Sequence, residues 1–185
     1  IDFSYFPFKN AKLYGELMID DFQIDNETVF DKEPTEMGLI FGADYLLDRY
    51  DLLFNAEYLR VNPWTYNQPK SWNKFVFRNQ PLGFDEIDVD IMKMSTTYFL
   101  GKNYANLTMQ YKRKGVGSIY DEWTSPWIDN DYEFEFPSGK VEKDFSISTE
   151  LFYNWKFLTG KLNIANILST NDEDLKILSE ISFKF

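Results

Sequence analysis

The chain has 185 residues, carries 30 Asp and Glu against 19 Lys and Arg for a net charge of −11, and holds 18 Phe, 12 Tyr and 5 Trp but neither Cys nor His. Without imidazole or thiolate the usual zinc, copper, haem and cysteine-nucleophile chemistries are excluded, and only carboxylates remain as metal ligands; no metal and no other cofactor is predicted. The acidic balance argues against nucleic acid, since a phosphate backbone needs Lys and Arg in excess, and no window reaches the ~18 apolar residues of a membrane helix, so a chain that spans a bilayer must do so as a barrel.

Residues 1 to 8 (IDFSYFPF) read as a first strand, aromatic but interrupted by Pro7, which suits a strand end. The chain starts at Ile1 inside an apolar stretch, without an initiator Met or a signal peptide, and reads as a mature or truncated segment. After a turn at Lys9-Asn10, residues 11 to 24 alternate Leu13, Leu17 and Ile19 with Tyr14, Glu16 and Asp20, the period-2 signature of a strand with one apolar face. An acidic connection at 25–35 follows. Residues 36 to 47 set Met37, Leu39, Phe41, Tyr45 and Leu47 on one face, and Asp48-Arg49 turns the chain into residues 50 to 62, where Phe54, Ala56 and Tyr58 oppose Asn55 and Glu57. A loop at 63–86 holds three of the seven prolines, as a segment outside strands should.

Residues 87 to 100 carry Met92, Met94 and Tyr98 against Lys93, Ser95 and Thr97, and Gly101-Lys102-Asn103 turns the chain. Residues 104 to 114 alternate Leu107, Met109 and Tyr111 with Asn106, Thr108, Gln110 and Lys112. The longest loop spans 115–142. Residues 143 to 157 put Phe145, Ile147, Leu151 and Tyr153 opposite Asp144, Ser146, Ser148 and Glu150; a turn is predicted at Leu158-Thr159-Gly160, followed by strands at 161 to 170 and 174 to 185. The last of these ends on Phe183-Lys184-Phe185, like the terminal aromatic signal of outer-membrane barrels.

Connections at 9–10, 48–49, 101–103 and 158–160 are short, whereas those at 25–35, 63–86 and 115–142 are long, and the two kinds alternate up to the short connection at 171–173. In an up-and-down meander every second connection lies at the same end, so the long loops share one end and the tight turns the other. That asymmetry belongs to outer-membrane barrels. The predicted fold is therefore all-β: a single antiparallel up-and-down transmembrane β-barrel segment over residues 1–185 with about eight or nine strands. Because single-chain bacterial barrels close with even strand numbers, it is expected to be the C-terminal part of a larger barrel. A water-soluble β-sandwich or lipocalin-like barrel is the alternative.

LYGELMIDDFQID at 13–25, FNAEYLRVNPWTYNQ at 54–68 and NQPLGFDEIDVD at 79–90 occur in an order that resembles the C-terminal half of Wzi-type capsule assembly proteins of Gram-negative outer membranes. The resemblance covers most of residues 11–115 at motif level. It implies a barrel in the bacterial outer membrane that holds capsular polysaccharide at the cell surface.

Read for their own chemistry, residues 62–79 interleave Trp64, Tyr66, Trp72, Phe75 and Phe77 with Asn62, Asn67, Gln68, Lys70 and Arg78. Flat rings beside amides and cations suit a carbohydrate, whose C–H faces stack while its hydroxyls hydrogen-bond; the same rings also suit a miniature loop core or an interfacial anchor. The candidate carbohydrate-binding set is Glu57, Arg60, Asn62, Trp64, Tyr66 and Trp72. Arg60 and Asn62 are expected at the rim beneath Trp64 and Tyr66, with Glu57 orienting Arg60. In loop 115–142, Asp129-Asn130-Asp131 resembles half of a calcium loop but lacks the rest of an EF-hand, so a solvated acidic hairpin is the expectation, with residues 132–136 alternating as a possible strand extension. Inward Glu16, Asp44, Glu57, Glu150 and Glu180 are expected to face lysines across the lumen.

No catalysis is predicted. Asp20 and Asp21 are strand neighbours and point to opposite faces, so they cannot act as a glycosidase pair, and no Gly-x-Ser-x-Gly elbow is present. The expected function is non-catalytic binding of surface or capsular polysaccharide, with outer-membrane lipid and other envelope proteins as further partners. A porin-like channel, or a structural barrel subunit of a larger envelope complex, is the alternative.

Overall fold

Alternation of ring and amide along the chain becomes a nine-stranded antiparallel sheet in the computed structural model, which describes residues 1–21, 35–68, 70, 74, 76–78, 80–81, 83–128, 133–155, 158–169 and 173–183. In chain order the strands are β1 (Asp2–Phe8), β2 (Ala11–Asp21), β3 (Glu36–Leu47), β4 (Leu52–Val61), β5 (Val76–Phe77), β6 (Gln80–Pro81), β7 (Val89–Leu100), β8 (Asn103–Lys114), β9 (Glu142–Trp155), β10 (Leu158–Ser169) and β11 (Glu173–Phe183). The large sheet runs β1-β2-β3-β4-β7-β8-β9-β10-β11, each strand beside its sequence neighbour apart from the small β5–β6 hairpin, which forms a sheet of its own. β1 and β11 are its edges. Among the described residues they do not pair with each other, so the sheet is not closed into a barrel.

The meander and its alternating connections agree with the sequence, and β3 has the predicted bounds. Two local expectations are corrected. Leu158, Thr159 and Gly160 are not a turn: they pair with Trp155, Asn154 and Tyr153 inside β10. Glycine at 160 favours a turn by statistics, yet a side chain there would meet open space, so neither crowding nor a positive φ sets its place. Residues 133–136 do not extend the sheet, because the loop that carries them folds over the end of the strands instead. Asp129-Asn130-Asp131, Tyr132, most of the 25–35 connection, Lys156 and Phe185 lie outside the described residues.

The two faces of the sheet differ as the alternation predicts. Met92, Met94, Leu107, Met109, Ile147, Leu151 and Tyr153 stand exposed on one face. On the other, Tyr14 OH donates to Glu57 Oε2 at 2.8 Å and accepts from Asn55 Nδ2 at 3.1 Å, while Asn55 also donates to Asp44 at 2.8 Å. The Tyr14 phenol lies across Gly42, where a Cβ would come within 2.3 Å of the ring, so only glycine lets this network form. Further along the same face, Lys161 pairs with Glu150 at 2.9 Å and Tyr104 OH donates to the same carboxylate. Glu57, Asp44 and Glu150 are each given partners by this polar wall, which offsets the cost of drawing them from water.

That polar face does not run the full strand length. At the long-loop end, Leu59, Val61 and Val89 are buried with Tyr66, Ile87 and Ile119, and Met18, Ile40, Val76, Phe84 and Ile91 pack against them. The core is thus built on the inner face, where loops 62–88 and 115–141 fold back over β3, β4 and β7. The sequence carried a signal for it, since Ile40, Leu59, Val61, Val89 and Ile91 are apolar at positions whose parity is otherwise polar.

Candidate functional site

Strand geometry separates the predicted binding set before any ligand is considered. Glu57 and Arg60 are three residues apart in β4, and side chains an odd number apart on a strand point to opposite faces. Glu57 therefore takes the Tyr14 hydrogen bond on the inner face and does not orient Arg60. Arg60 lies outward, where Nε donates to Asn62 Oδ1 at 2.7 Å and the guanidinium sits 3.7 Å above the Phe136 ring. Asn62 is buried, and its Nδ2 donates to the Thr35 carbonyl at 2.8 Å, tying the ends of β3 and β4 together. Tyr66, only 5% exposed, belongs to the core, and burial raises its phenol above the usual pKa. Trp72 lies outside the described residues. Of the predicted residues that are described, Tyr66 lines a cavity of about 350 Å³ with Glu16, Met18, Gly38, Leu59 and Phe84, whereas Trp64 lines another one, between the two long loops.

Trp64 makes that cavity through contacts the sequence order hid. Its ring meets Trp123 at 5.5 Å and Trp127 at 5.8 Å between centroids, and Trp123 meets Trp127 at 5.4 Å, all three pairs edge-to-face. Such pairs contribute about 0.5–1.5 kcal/mol each beyond area burial. Trp64 also adopts φ +73°, a left-handed backbone that bulky residues rarely take and that costs roughly 1–3 kcal/mol. The indole cluster offsets that strain and fixes the ring. Asn67 Nδ2 and Lys74 Nζ both donate to the Asp121 carbonyl, at 3.2 and 2.8 Å, so the two loops are hydrogen-bonded as well as packed.

A second anchor holds the loops from below. Asp88 is fully buried at φ +56°, and its carboxylate accepts from Gly117 N at 3.0 Å, Ser138 N at 2.9 Å and Ser138 Oγ at 2.6 Å. Gly115 N donates to the Asp88 carbonyl at 2.8 Å, and a Cβ on Gly115 would strike the carboxylate. Four polar groups of loop 115–141 are satisfied by one residue at the foot of β7.

Between the loops lies a cavity of about 310 Å³. Pro63, Trp64, Ile87, Val116 and Pro126 give it apolar walls, and Asp121, Glu133, Glu135, Ser118 and Ser138 supply its polar groups. Among the described residues no Lys or Arg lines it. A ring face with surrounding acceptors and hydroxyls suits an uncharged, hydroxyl-rich molecule, because C–H groups stack on indole while hydroxyls donate to carboxylates. Asp121, Glu133 and Glu135 escaped the sequence reading because they come from the loop opposite Trp64. The recurrence of Trp in both long loops, at 64, 123 and 127, is the signal that they meet. Among the described residues no group of three or more carboxylates is placed to hold a metal ion.

Compared with protein-family models, curated proteins and solved structures, the chain matches none, and the likeness to Wzi-type proteins rests on the order of its sequence motifs.

Proposed function

We propose that the chain is a wall segment of a bacterial outer-membrane β-barrel, with its long loops outside the cell, and that it holds surface or capsular polysaccharide without catalysis. One arrangement carries the reading: an indole-walled cleft held above an apolar belt. In register across β3, β4, β7, β8 and β9, Phe41, Tyr58, Met92, Tyr111 and Phe145 form one outward row. Leu52, Tyr98, Ala105 and Leu151 form another toward the tight turns. From Phe145 to Tyr153 the outward positions of β9 cover eight residues of rise, about 26 Å along the strand, which at the strand tilt of such barrels is roughly 20 Å of height against an apolar band about 25 Å tall. Aromatic residues near both margins suit the two membrane interfaces. A contiguous exposed apolar face of this extent is foreign to the surface of a soluble monomer.

The membrane half predicts that cysteines at 109 and 151 are shielded from a water-soluble maleimide in native membranes, while those at 108 and 150 react. Labelling of the first pair alone would overturn the assignment of faces.

For the glycan half, a cleft whose described residues supply carboxylates and no cation favours neutral, hydroxyl-rich polymer over one rich in uronic acid. Trp64→Ala removes the stacking face, a loss of about 1 kcal/mol or several-fold in a single site, which a polymer engaging many copies multiplies. The expected result is a folded, inserted protein with polysaccharide shed into the medium, read as cell-bound against released polymer at matched protein level. Equal retention would remove the binding function and leave the structural-subunit reading. A channel is disfavoured by the core that loops 62–88 and 115–141 build where its mouth would open.

A further inference from the structure

Above the apolar belt the outer face changes from rings to charges within one step of the register. The next outward positions after Tyr58, Met92, Tyr111 and Phe145 are Arg60, Asp90, Arg113 and Lys143, and these four again stand side by side: Arg60 opposite Asp90, Asp90 opposite Arg113, Arg113 opposite Lys143. With strands about 4.8 Å apart, the row from Arg60 to Lys143 is about 14 Å wide. Three cations and one anion give it a charge of +2 (3 − 1) in a chain whose net charge is −11, so composition alone does not supply it.

The anion serves the cations. Asp90, only 6% exposed, accepts from Arg113 Nε at 2.9 Å and again from Nη2, and Tyr58 OH donates to it at 3.3 Å. Of the five guanidinium N–H donors, these bonds leave three on an orientation already fixed. Arg60 is held in the same way from its other side, by Asn62 and the Phe136 ring. Lys143 is exposed. Cations held at the upper margin of a lipid-facing surface meet lipid headgroups, and a guanidinium fork matches the oxygens of a phosphate.

We propose that Arg60, Arg113 and Lys143 form a binding row for the phosphates of the outer-leaflet glycolipid, with diphosphoryl lipid A as its probe. The inference rests on the membrane reading above and concerns the outward side of the wall, where Arg60, held by Asn62 and Phe136, borders the loops that build the Trp64 cleft.

The test uses the intact protein reconstituted into phosphatidylcholine vesicles doped with diphosphoryl lipid A, with dephosphorylated lipid A, or with phosphatidylglycerol at equal charge, and measures labelled lipid retained at the protein. Arg60→Gln with Lys143→Gln keeps the Arg113–Asp90 pair intact, and Lys93→Gln removes a charge from the opposite face as a control. A cation near a membrane surface contributes about fivefold in lipid binding. The expected result is preferential retention of diphosphoryl lipid A that falls about 25-fold in the double variant and not in the control. Equal retention of phosphorylated and dephosphorylated lipid, equal retention of phosphatidylglycerol, or an equal loss in the Lys93 control overturns the phosphate row while leaving insertion untouched. A protein that does not insert overturns the membrane reading and this inference with it.

Discussion

Asp88→Ala is expected to free loop 115–141 from the sheet while the strands stay paired. The substitution strips the acceptor from Gly117 N, Ser138 N and Ser138 Oγ, in a place from which water is excluded. Each buried donor left without a partner costs about 1–3 kcal/mol, so a local loss of about 3 kcal/mol or more follows. Because Gly117, Ser118, Glu133, Glu135 and Ser138 all line the cleft, the proposed glycan binding is expected to go with the loop. Asp88→Asn retains one acceptor oxygen and a residue type that tolerates the left-handed backbone, so its effect is less than half as large. Limited proteolysis and amide exchange within 115–141 measure the difference. Exchange rates in the Ala variant equal to those of the parent would show that the carboxylate is not the anchor.

Tyr66→Ala strikes the same region from the opposite loop. Tyr66 packs with Leu59, Val61, Ile87, Val89 and Ile119, and truncating a buried ring to alanine typically costs about 3–5 kcal/mol. The predicted outcome is an opened loop 62–88 with unchanged β3–β4 and β4–β7 pairing, seen as faster exchange of Val76 and Ile119 amides against protected strand centres. Tyr66→Phe keeps the ring but removes the hydroxyl that hydrogen-bonds the Phe84 backbone, and costs about 1–3 kcal/mol. If Ala and Phe variants behave alike, Tyr66 is not part of the core. The contrast with Trp64 matters for function: loss of polysaccharide in a Tyr66→Ala strain reports a collapsed loop, whereas Trp64→Ala leaves the core residue in place and removes the proposed stacking face together with its Trp123 and Trp127 contacts, so amide exchange in both loops is read in the same variant.

Much of the fold was legible because strand periodicity is a local property. Alternation of Leu107, Met109 and Tyr111 with Asn106, Thr108 and Gln110 fixes both the strand and its two faces without reference to any other segment. Tight turns and long connections in alternation fix the meander, since neighbouring antiparallel strands need nothing more. Gly160 misled for the opposite reason: a glycine signals a turn only by statistics, and here the strand continues through it. The placement of Glu57 under Arg60 failed on the same period-2 rule that gave the strands, applied to residues an odd number apart.

The sequence by itself determined an all-β antiparallel meander, its polar and apolar faces, and the end at which its long loops gather. Only the tertiary structure decided that loops 62–88 and 115–141 fold over the inner face, that Tyr66 and Asn62 are buried supports, and that Trp64 meets Trp123 and Trp127 beside Glu133 and Glu135. The physical reason is separation along the chain. A face is set by residues two apart, whereas the cleft depends on indoles about sixty residues apart and on one carboxylate, Asp88, that bonds to Ser138 fifty residues away, contacts that no local periodicity encodes.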